Sequence, residues 1–530
     1  MKKRLFNLLI TIIFGLLIYY FMLPPINLTA PSFWVFVIMM LVFYFILSCS
    51  SLLSVNILSN KHIKIKDLKI SKSIYAVFVI VIGIIIVNIV LSPVFNANSY
   101  ANRIIVDETK EFTNDVPLVD FKAIPLLDKD SSQKLGDRTM GVMTDLVSQF
   151  YVSDLYTQIN YNNDIIRVTP LEYAGFIKYF TNRHEGVKGY ITVNSVTGEA
   201  NLIKLDYGMK YMPSSYFFEN LDRKLRLLYP TKIFGEKSFE IDNEGNPYWI
   251  VETLSYKGIG LMKEVSGVVV LNPITGESNW YKAGEVPTWI DHVYDASLII
   301  EQFDNWGEYK NGYLNSLFGQ KGVVNTTEGY SYLAMNDDIY LYTGVTSVLT
   351  DESNLGFILT NMRTKETKLY NIAGAEEFSA MASAEGVVQD KKYQATFPLL
   401  INLNNKPTYL MSLKDNAGLV KMYAFVDVVD YQKVVTSDST LGIEEAAKKY
   451  LSENTTINPT DTIDLEIEVK EINQAVIDGV TYYYITDING NRYSVSIKIN
   501  KDLLPYLKVS DKINVKYYQN NNIRIITKIN

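Results

Sequence analysis

The residues able to do chemistry in this chain are few and scattered. Its three histidines, His62, His184 and His292, lie far apart. None sits in HExxH, the spacing that turns two imidazoles toward one zinc ion. The single cysteine, Cys49, cannot build a disulfide, a Cys-based zinc site or a CxxC redox pair within the chain. GxSxG, the strained elbow of a nucleophilic serine, does not occur. Ser131–Lys134 (SSQK) matches SxxK in form, but no partner motif accompanies it, and it reads as solvated helix surface. Ser316–Val323 (SLFGQKGV) lacks GxxxxGK[ST] and reads as a loop, not a phosphate cradle. The acid pairs Asp337-Asp338, Asp351-Glu352 and Glu376-Glu377 offer oxygen ligands to a cation. No EF-hand spacing surrounds them, so each reads as a turn or helix cap. Trp280, Trp289 and Trp306 cluster around one stretch of chain. They form a candidate partner surface, because tryptophan anchors interfaces, although aromatic rings fill cores just as well. The residues thus predict no catalytic group, no cofactor and no metal.

The elements that must position these residues begin in a membrane. Ser73–Asn102 contains no Asp, Glu, Lys or Arg, and no charge lies between Arg4 and Lys61. The earlier run breaks at Leu23–Ser32, where three prolines mark a connection. Spans of about 20 apolar residues cross a hydrocarbon layer as helices, which predicts three transmembrane helices near 5–22, 33–53 and 74–95. The first apolar run is longer than a signal-peptide core and has no small-x-small cleavage site, so it reads as a retained span. The basic MKKR and Asn60–Lys72 segments predict a cytoplasmic N-terminus and an exterior C-terminal region. No carboxylate, amine or imidazole lies within the spans, which favours an anchor over a carrier. Of 50 basic and 57 acidic residues, eight basic residues and one acid precede Ser73, leaving 42 against 56 beyond it. So acidic a region repels phosphate backbones and excludes nucleic acid as a partner.

Beyond the spans the chain repeats itself. Gly189–Leu205 reads GYITVNSVTGEANLIKL, Gly267–Ala283 reads GVVVLNPITGESNWYKA, and Gly356–Ile372 reads GFILTNMRTKETKLYNI. Each is a β-branched apolar run, a turn and a second run, and so predicts a hairpin. The Asn caps backbone N–H groups of the turn, and the Gly supplies a positive φ. In the third copy Lys365 stands where the others have Gly198 and Gly276. That turn must change type or hold a lysine where glycine is favoured. A further strand is expected before each hairpin (165–168, 248–256, 339–348) and a helix after it (214–228, 289–303, 375–389). Pro398–Leu413 looks like a degenerate fourth copy, and Asp137–Tyr151 carries a helical apolar stripe. The fold class is an α+β exterior domain of antiparallel sheets with helices on one face.

Hairpins closed by the phrase N-x-x-T-G-E resemble PepSY-type modules. Residues 120–430 also resemble a widespread, uncharacterised family of bacterial membrane-anchored proteins, sometimes loosely labelled cell-shape-determining. The phrases that carry this resemblance include Ile124–Gly141, Val168–Phe176, Tyr229–Phe234, Pro287–Asp291 (PTWID) and Tyr342–Val348 (YTGVTSV). It supplies no catalytic residues. It implies a cell-envelope protein, with regulation of envelope peptidases as the role linked to PepSY modules.

Residues 436–462 read as a polar linker holding one short helix. Ile463–Asn530 has alternating strands, an Asn489-Gly490 hairpin and a short helix at Lys501–Leu507. This order resembles a small OB-type barrel. The domains are therefore 1–97 in the membrane, 98–435 as repeats, 436–462 as linker and 463–530 as barrel. The functional expectation is a non-catalytic membrane-anchored envelope protein that binds or regulates other envelope proteins. The alternatives are an envelope hydrolase or peptidase and a transport or secretion accessory.

Overall fold

The computed structural model describes residues 2–58, 72–142, 146–347, 350–454, 463–477, 480–520 and 523–529. It divides into two compact units, Met1–Tyr450 and Leu451–Asn530. The basic connection 60–71 and the stretch 455–462, on which two sequence readings fall, lie outside the described residues.

Three helices, Lys2–Met22, Pro31–Leu58 and Lys72–Val90, each hold a 19-residue stretch apolar enough to cross a membrane. At ~1.5 Å per residue, such a stretch matches the hydrocarbon core of roughly 30 Å. The third helix stops at Val90 rather than near 95, because Pro93 cannot continue a hydrogen-bonded helix. A separate helix, Pro93–Ala101, starts there and bends at Asn96.

The loop between the first two helices is docked on the following domain. Ile26 N donates to Pro230 O (2.8 Å), and Gly260 N donates to Thr29 O (3.1 Å). Asn27 Nδ2 donates to Thr231 O (3.1 Å) and Asn88 Nδ2 to Ile259 O (3.2 Å). The loop and the domain therefore occupy the same end of the helices.

That domain is built from four antiparallel meanders. The first sheet contains β1 (Thr157–Tyr161), β2 (Asp164–Tyr173), β3 (Val187–Asn194) and β4 (Ala200–Met209). The second contains β5 (Ile233–Ile241), β6 (Pro247–Ser255), β7 (Glu264–Leu271) and β8 (Ser278–Lys282). The third contains β9 (Ser331–Met335), β10 (Asp338–Ser347), β11 (Thr350–Asn361) and β12 (Thr367–Tyr370). The fourth contains β13 (Leu399–Leu403), β14 (Lys406–Lys414), β15 (Val420–Asp427) and β16 (Val434–Asp438). In each sheet strands adjacent in the chain pair with one another, and short extra strands join the edges. Alternation along β6 and β7 buries the second sheet on both faces. Trp249, Val251 and Val269 join the core of the first sheet, while Ile250, Val268 and Val270 join that of the third. Helices on one face alone, as the sequence predicts, do not describe this sheet.

The three repeated hairpins share one turn. Asn194 Oδ1 accepts from the N–H of Val196 and Thr197, both at 2.9 Å. Asn272 does the same for Ile274 and Thr275, and Asn361 for Arg363 and Thr364. Gly198 and Gly276 both have φ +76°, and Lys365 accepts the same region at φ +64°. Its side chain compensates: Nζ reaches Glu264 Oε1 (2.7 Å), Arg103 O (3.0 Å) and Gln302 Oε1 (3.1 Å). The fourth copy is displaced from its predicted place. Pro398–Leu413 forms the first hairpin of its sheet, turned at Asn404-Asn405 with both φ positive, as a type I′ turn requires. The counterpart of the repeated hairpin is β15–β16, where Asp427 Oδ1 accepts from Val429 N and Asp430 N.

Two further readings shift. The helix expected over 137–151 runs from Lys129 to Gly141, capped by Asp128, and Phe150–Val152 is strand. The polar stretch expected to be linker from 436 instead completes β16, with Ser437 buried. Helix Ile443–Asn454 then buries Ala446, Ala447 and Tyr450, whose ring meets Phe425 at 5.7 Å.

The segment ahead of the first sheet lies along the fourth. Val119 N donates to Asn402 O, and Asn402 Nδ2 donates to Val116 O. Ser412 Oγ donates to Leu126 O, and Lys414 pairs with Asp128. The last meander is thus laced to the entry of the first.

The second unit is a closed barrel of β17 (Ile463–Ile477), β18 (Val480–Asp487), β19 (Arg492–Ser496), β20 (Lys512–Asn520) and β21 (Ile523–Ile529). Their order, β17-β18-β19-β21-β20 with β19 and β21 parallel, is OB-like. Gly490 turns β18 into β19 at φ +82°. The helix expected at 501–507 is a single 3-10 turn, Leu504–Tyr506.

The shared turn yields a paired test. A Cβ on Gly198 would make ordinary contacts with Leu127 Cδ1 at 3.4 Å and Leu135 Cδ1 at 3.8 Å, whereas one on Gly276 would fall 2.4 Å from Tyr211 Cε2. Gly198→Ala should therefore cost about 1 kcal/mol, the left-handed penalty alone. Gly276→Ala should cost roughly 2–3 kcal/mol, with overpacking added. Thermal unfolding of the purified full chain reads the difference, and equal shifts would contradict it.

Candidate functional site

Gln158 and Arg167 face each other across β1 and β2, so their side chains leave the same face of the first sheet. They project where the first, third and fourth sheets meet. A cavity of about 400 Å³ opens there, between the Leu126–Asp128 segment, Tyr330 and Tyr332, and Phe397 and Leu410. A second cavity, of about 250 Å³, shares Tyr156, Gln158, Tyr330 and Tyr332 and runs on toward Glu252, His292 and Tyr294.

Two polar groups in this cleft have no hydrogen-bond partner. Gln158 is 2% exposed and its Nε2 is unpaired. Arg167 Nε is also unpaired. Arg167 keeps one long contact, Nη2 to Leu127 O at 3.4 Å. Its nearest acid, Asp128, is engaged by Lys414. Burial pulls the guanidinium down to about 10 against the opposing pull of Asp128, so it stays charged at neutral pH. Buried donors usually find acceptors, and a cation without an anion is costlier still. The cleft therefore presents an amide donor and a guanidinium beside aromatic faces, while the hydroxyl of Tyr156 turns away from it toward Gly136 on helix Lys129–Gly141.

The surrounding polar network is satisfied and holds the cleft in shape. His292 Nε2 lies 2.7 Å from Gln158 O, and its ring meets Tyr332 edge-on at 5.6 Å. Burial keeps the Tyr332 hydroxyl neutral by raising it well above its ordinary value. Glu240 accepts from Asp291 N (3.0 Å), His292 N (3.3 Å) and Ser238 Oγ (2.7 Å). Asp291 in turn accepts from Asn160 N at 2.7 Å. The PTWID segment thus pins the second sheet to the first. Burial raises both carboxyls, and the charge of Glu240 raises Asp291 further. Another depression, about 580 Å³ over β2–β4, is different: its buried hydroxyl on Tyr190 already donates to Gly245 O.

The residues singled out by sequence are dispersed. Trp280 is 37% exposed on β8, donates to Thr253 Oγ1 and lies under Lys232 Nζ at 3.5 Å. Trp289 packs on Tyr248 and Trp306 on Phe303, each at 5.1 Å, at the margin of the core between the second and third sheets. Ser131 is buried, not on solvated helix surface as its sequence suggests, because its helix packs on the first sheet. Ser131 N is capped by Asp128, its Oγ has no partner, and Lys134 Nζ donates to Ala417 O, so no hydrogen bond joins the SxxK pair. Asp338 is forked by Arg363 and accepts from Asn361. Glu377 accepts from Thr327, Tyr342 and Asn354. The side chains of Asp351 and Glu352 lie outside the described part. No group of three metal-ligating side chains occurs among the described residues. Gln158 and Arg167 are what sequence reasoning missed. The available signal was an arginine inside the apolar run Ile165-Ile166-Arg167-Val168.

No protein-family model and no curated protein matches this chain. Among solved structures, a variant of the Bombyx mori GH32 beta-fructofuranosidase in complex with sucrose is similar over 76% of this chain and 70% of its own. The identity is 7% and the TM-score 0.20, and at that level nothing about this chain follows from the likeness.

Glu252 gives a pH test at the inner end of the cleft. Burial, and then Asp295, push its carboxyl up to about 8. The unfolded chain releases this proton near the ordinary value of 4.5, so stability falls as pH rises from there to about 8. Glu252→Gln removes that loss. It should match the parent near pH 4 and exceed it by roughly 5 kcal/mol above pH 8, at ~1.4 kcal/mol per unit. Unfolding of the full chain across pH measures the gap, and a constant gap would refute the assignment.

Proposed function

We propose that this chain is a non-catalytic, membrane-anchored protein of a bacterial cell envelope that binds or regulates another envelope component. In this reading the cleft takes an anionic group of that component: a carboxylate or phosphate on Arg167, steadied by Gln158 Nε2. The observation that carries it is the unpaired amide of Gln158, buried beside a guanidinium that has no ion pair among the described residues. The PepSY-like phrases support a regulatory role. The N-terminal MKKR supports a cytoplasmic N-terminus and an exterior sheet domain.

The cleft is tested by photocrosslinking in living cells from benzoylphenylalanine at the rim residue Tyr330, which is exposed. One envelope adduct is expected, and Arg167→Met should weaken it about tenfold or more, the weight of a charge-assisted hydrogen bond. Removing an uncompensated buried cation should leave stability unchanged or raised. An adduct indifferent to Arg167→Met would overturn the reading. Orientation is tested separately with Leu419→Cys in a Cys49→Ser background. Impermeant maleimide should label it in whole cells or spheroplasts, and labelling only after lysis would reverse the topology.

A further inference from the structure

Helix Phe176–Asn182 and the turn Phe217–Glu219 leave large apolar side chains in the open. Ile177 is 73% and Phe218 66% exposed, with Phe176, Phe180 and Phe217 also exposed beside them. An apolar face of this kind on a folded domain marks a binding surface. The helix is anchored from below by Tyr179, 1% exposed, whose hydroxyl donates to Glu219 Oε2 (2.7 Å) and lies 3.1 Å from Tyr216 O. The face is therefore held rigidly outward.

The backbone enforces that direction. Periodicity places Phe217 on the buried side of a helix with Leu221 and Leu225, and those two leucines are fully buried. Phe217 instead adopts φ +54°, a region bulky residues avoid and which costs on the order of 1–3 kcal/mol. The strain turns Phe217 and Phe218 away from the core.

The face is continuous with the membrane region. Phe218 meets Tyr20, near the end of helix Lys2–Met22, ring to ring at 6.4 Å. Phe217 meets Phe176 at 6.3 Å, and Phe176 meets Phe180 at 6.2 Å. Arg223 lies 3.9 Å over Tyr20, and Lys178 on helix Phe176–Asn182 and Arg183 just after it are half-buried. Aromatic rings flanked by cations are the chemistry of a bilayer interface.

We propose that Phe176, Ile177, Phe180, Phe217 and Phe218 form a foot inserted into the interfacial layer of the same bilayer that the three helices cross. The occupant is lipid, because the face begins at a membrane helix end and extends it laterally. Burial would reach roughly 5–10 Å, the depth of interfacial helices. The domain then rests on the membrane rather than standing above it.

The test uses the full chain in vesicles of phosphatidylglycerol and phosphatidylcholine, with Cys49→Ser as background. Ile177→Cys and Phe218→Cys, both at exposed positions, are labelled with a polarity-sensitive dye, and Leu419→Cys serves as the aqueous reference. Both foot labels should emit to the blue of the reference. They should be quenched by doxyl groups on the lipid chains and several-fold less by iodide. Iodide quenching equal to that at Leu419 would overturn the proposal. So would shielding found in cells but absent from pure lipid, which would assign the face to a protein partner.

Discussion

One buried guanidinium joins the membrane region to the sheets. Arg226 is 5% exposed and directs its donors at the carbonyls of Leu23 (2.8 Å), Lys232 (2.6 Å) and Tyr229 (3.3 Å). Burial lowers its pKa. Leu23 directly follows the C-terminal end of a membrane helix, and Tyr229 follows that of helix Leu221–Leu228, places where carbonyls lack intrahelical partners. Each carbonyl stranded in the dry interior would cost about 1–3 kcal/mol. Around this contact the loop up to Ala30 enters the core of the second and third sheets. The helices are thus part of the folded unit, and the sheet domain is fixed to them without a stalk.

The same economy governs the interior of the sheets. Glu240, Asp291 and Glu377 are buried acids: Glu240 accepts from the backbone of Asp291 and His292, Asp291 from Asn160 N, and Glu377 from Thr327, Tyr342 and Asn354. They weld neighbouring meanders together where side-chain packing alone would leave the register free. Unpaired buried donors also occur elsewhere, on Ser195 and Tyr173 for example, but those of Gln158 and Arg167 face each other across two paired strands and open on one cleft.

What could be read from sequence was local. The spans follow from the absence of charge, the three hairpins from a capping Asn and a turn residue four positions on, and the barrel order from alternation and one Asn-Gly. The first strands of the first and third meanders escaped notice because their turns, Asn162-Asn163 and Asn336-Asp337, lack the glycine that flags a hairpin. Phe217 escaped because helical periodicity cannot foresee a left-handed residue. The Gln158–Arg167 cleft was invisible for a different reason: its other walls come from residues far along the chain, and no spacing in one segment encodes them. The linker expected from 436 failed because a polar composition suits an edge strand as well as a loop.

The lacing of Val116–Asp128 to the fourth sheet joins groups 286 residues apart. A chain made from its N-terminus forms three meanders before Asn402 and Ser412 exist. Through that interval the segment beside the membrane has backbone N–H and C=O groups with no strand to receive them, next to cores already closing. Closing so long a loop late is slow, and an unpaired edge held that long is open to pairing with another copy. The fourth sheet therefore acts as a time-keeper: the fold is sealed by the arrival of its last quarter, and a chain truncated before Asn402 would carry a permanently open seam.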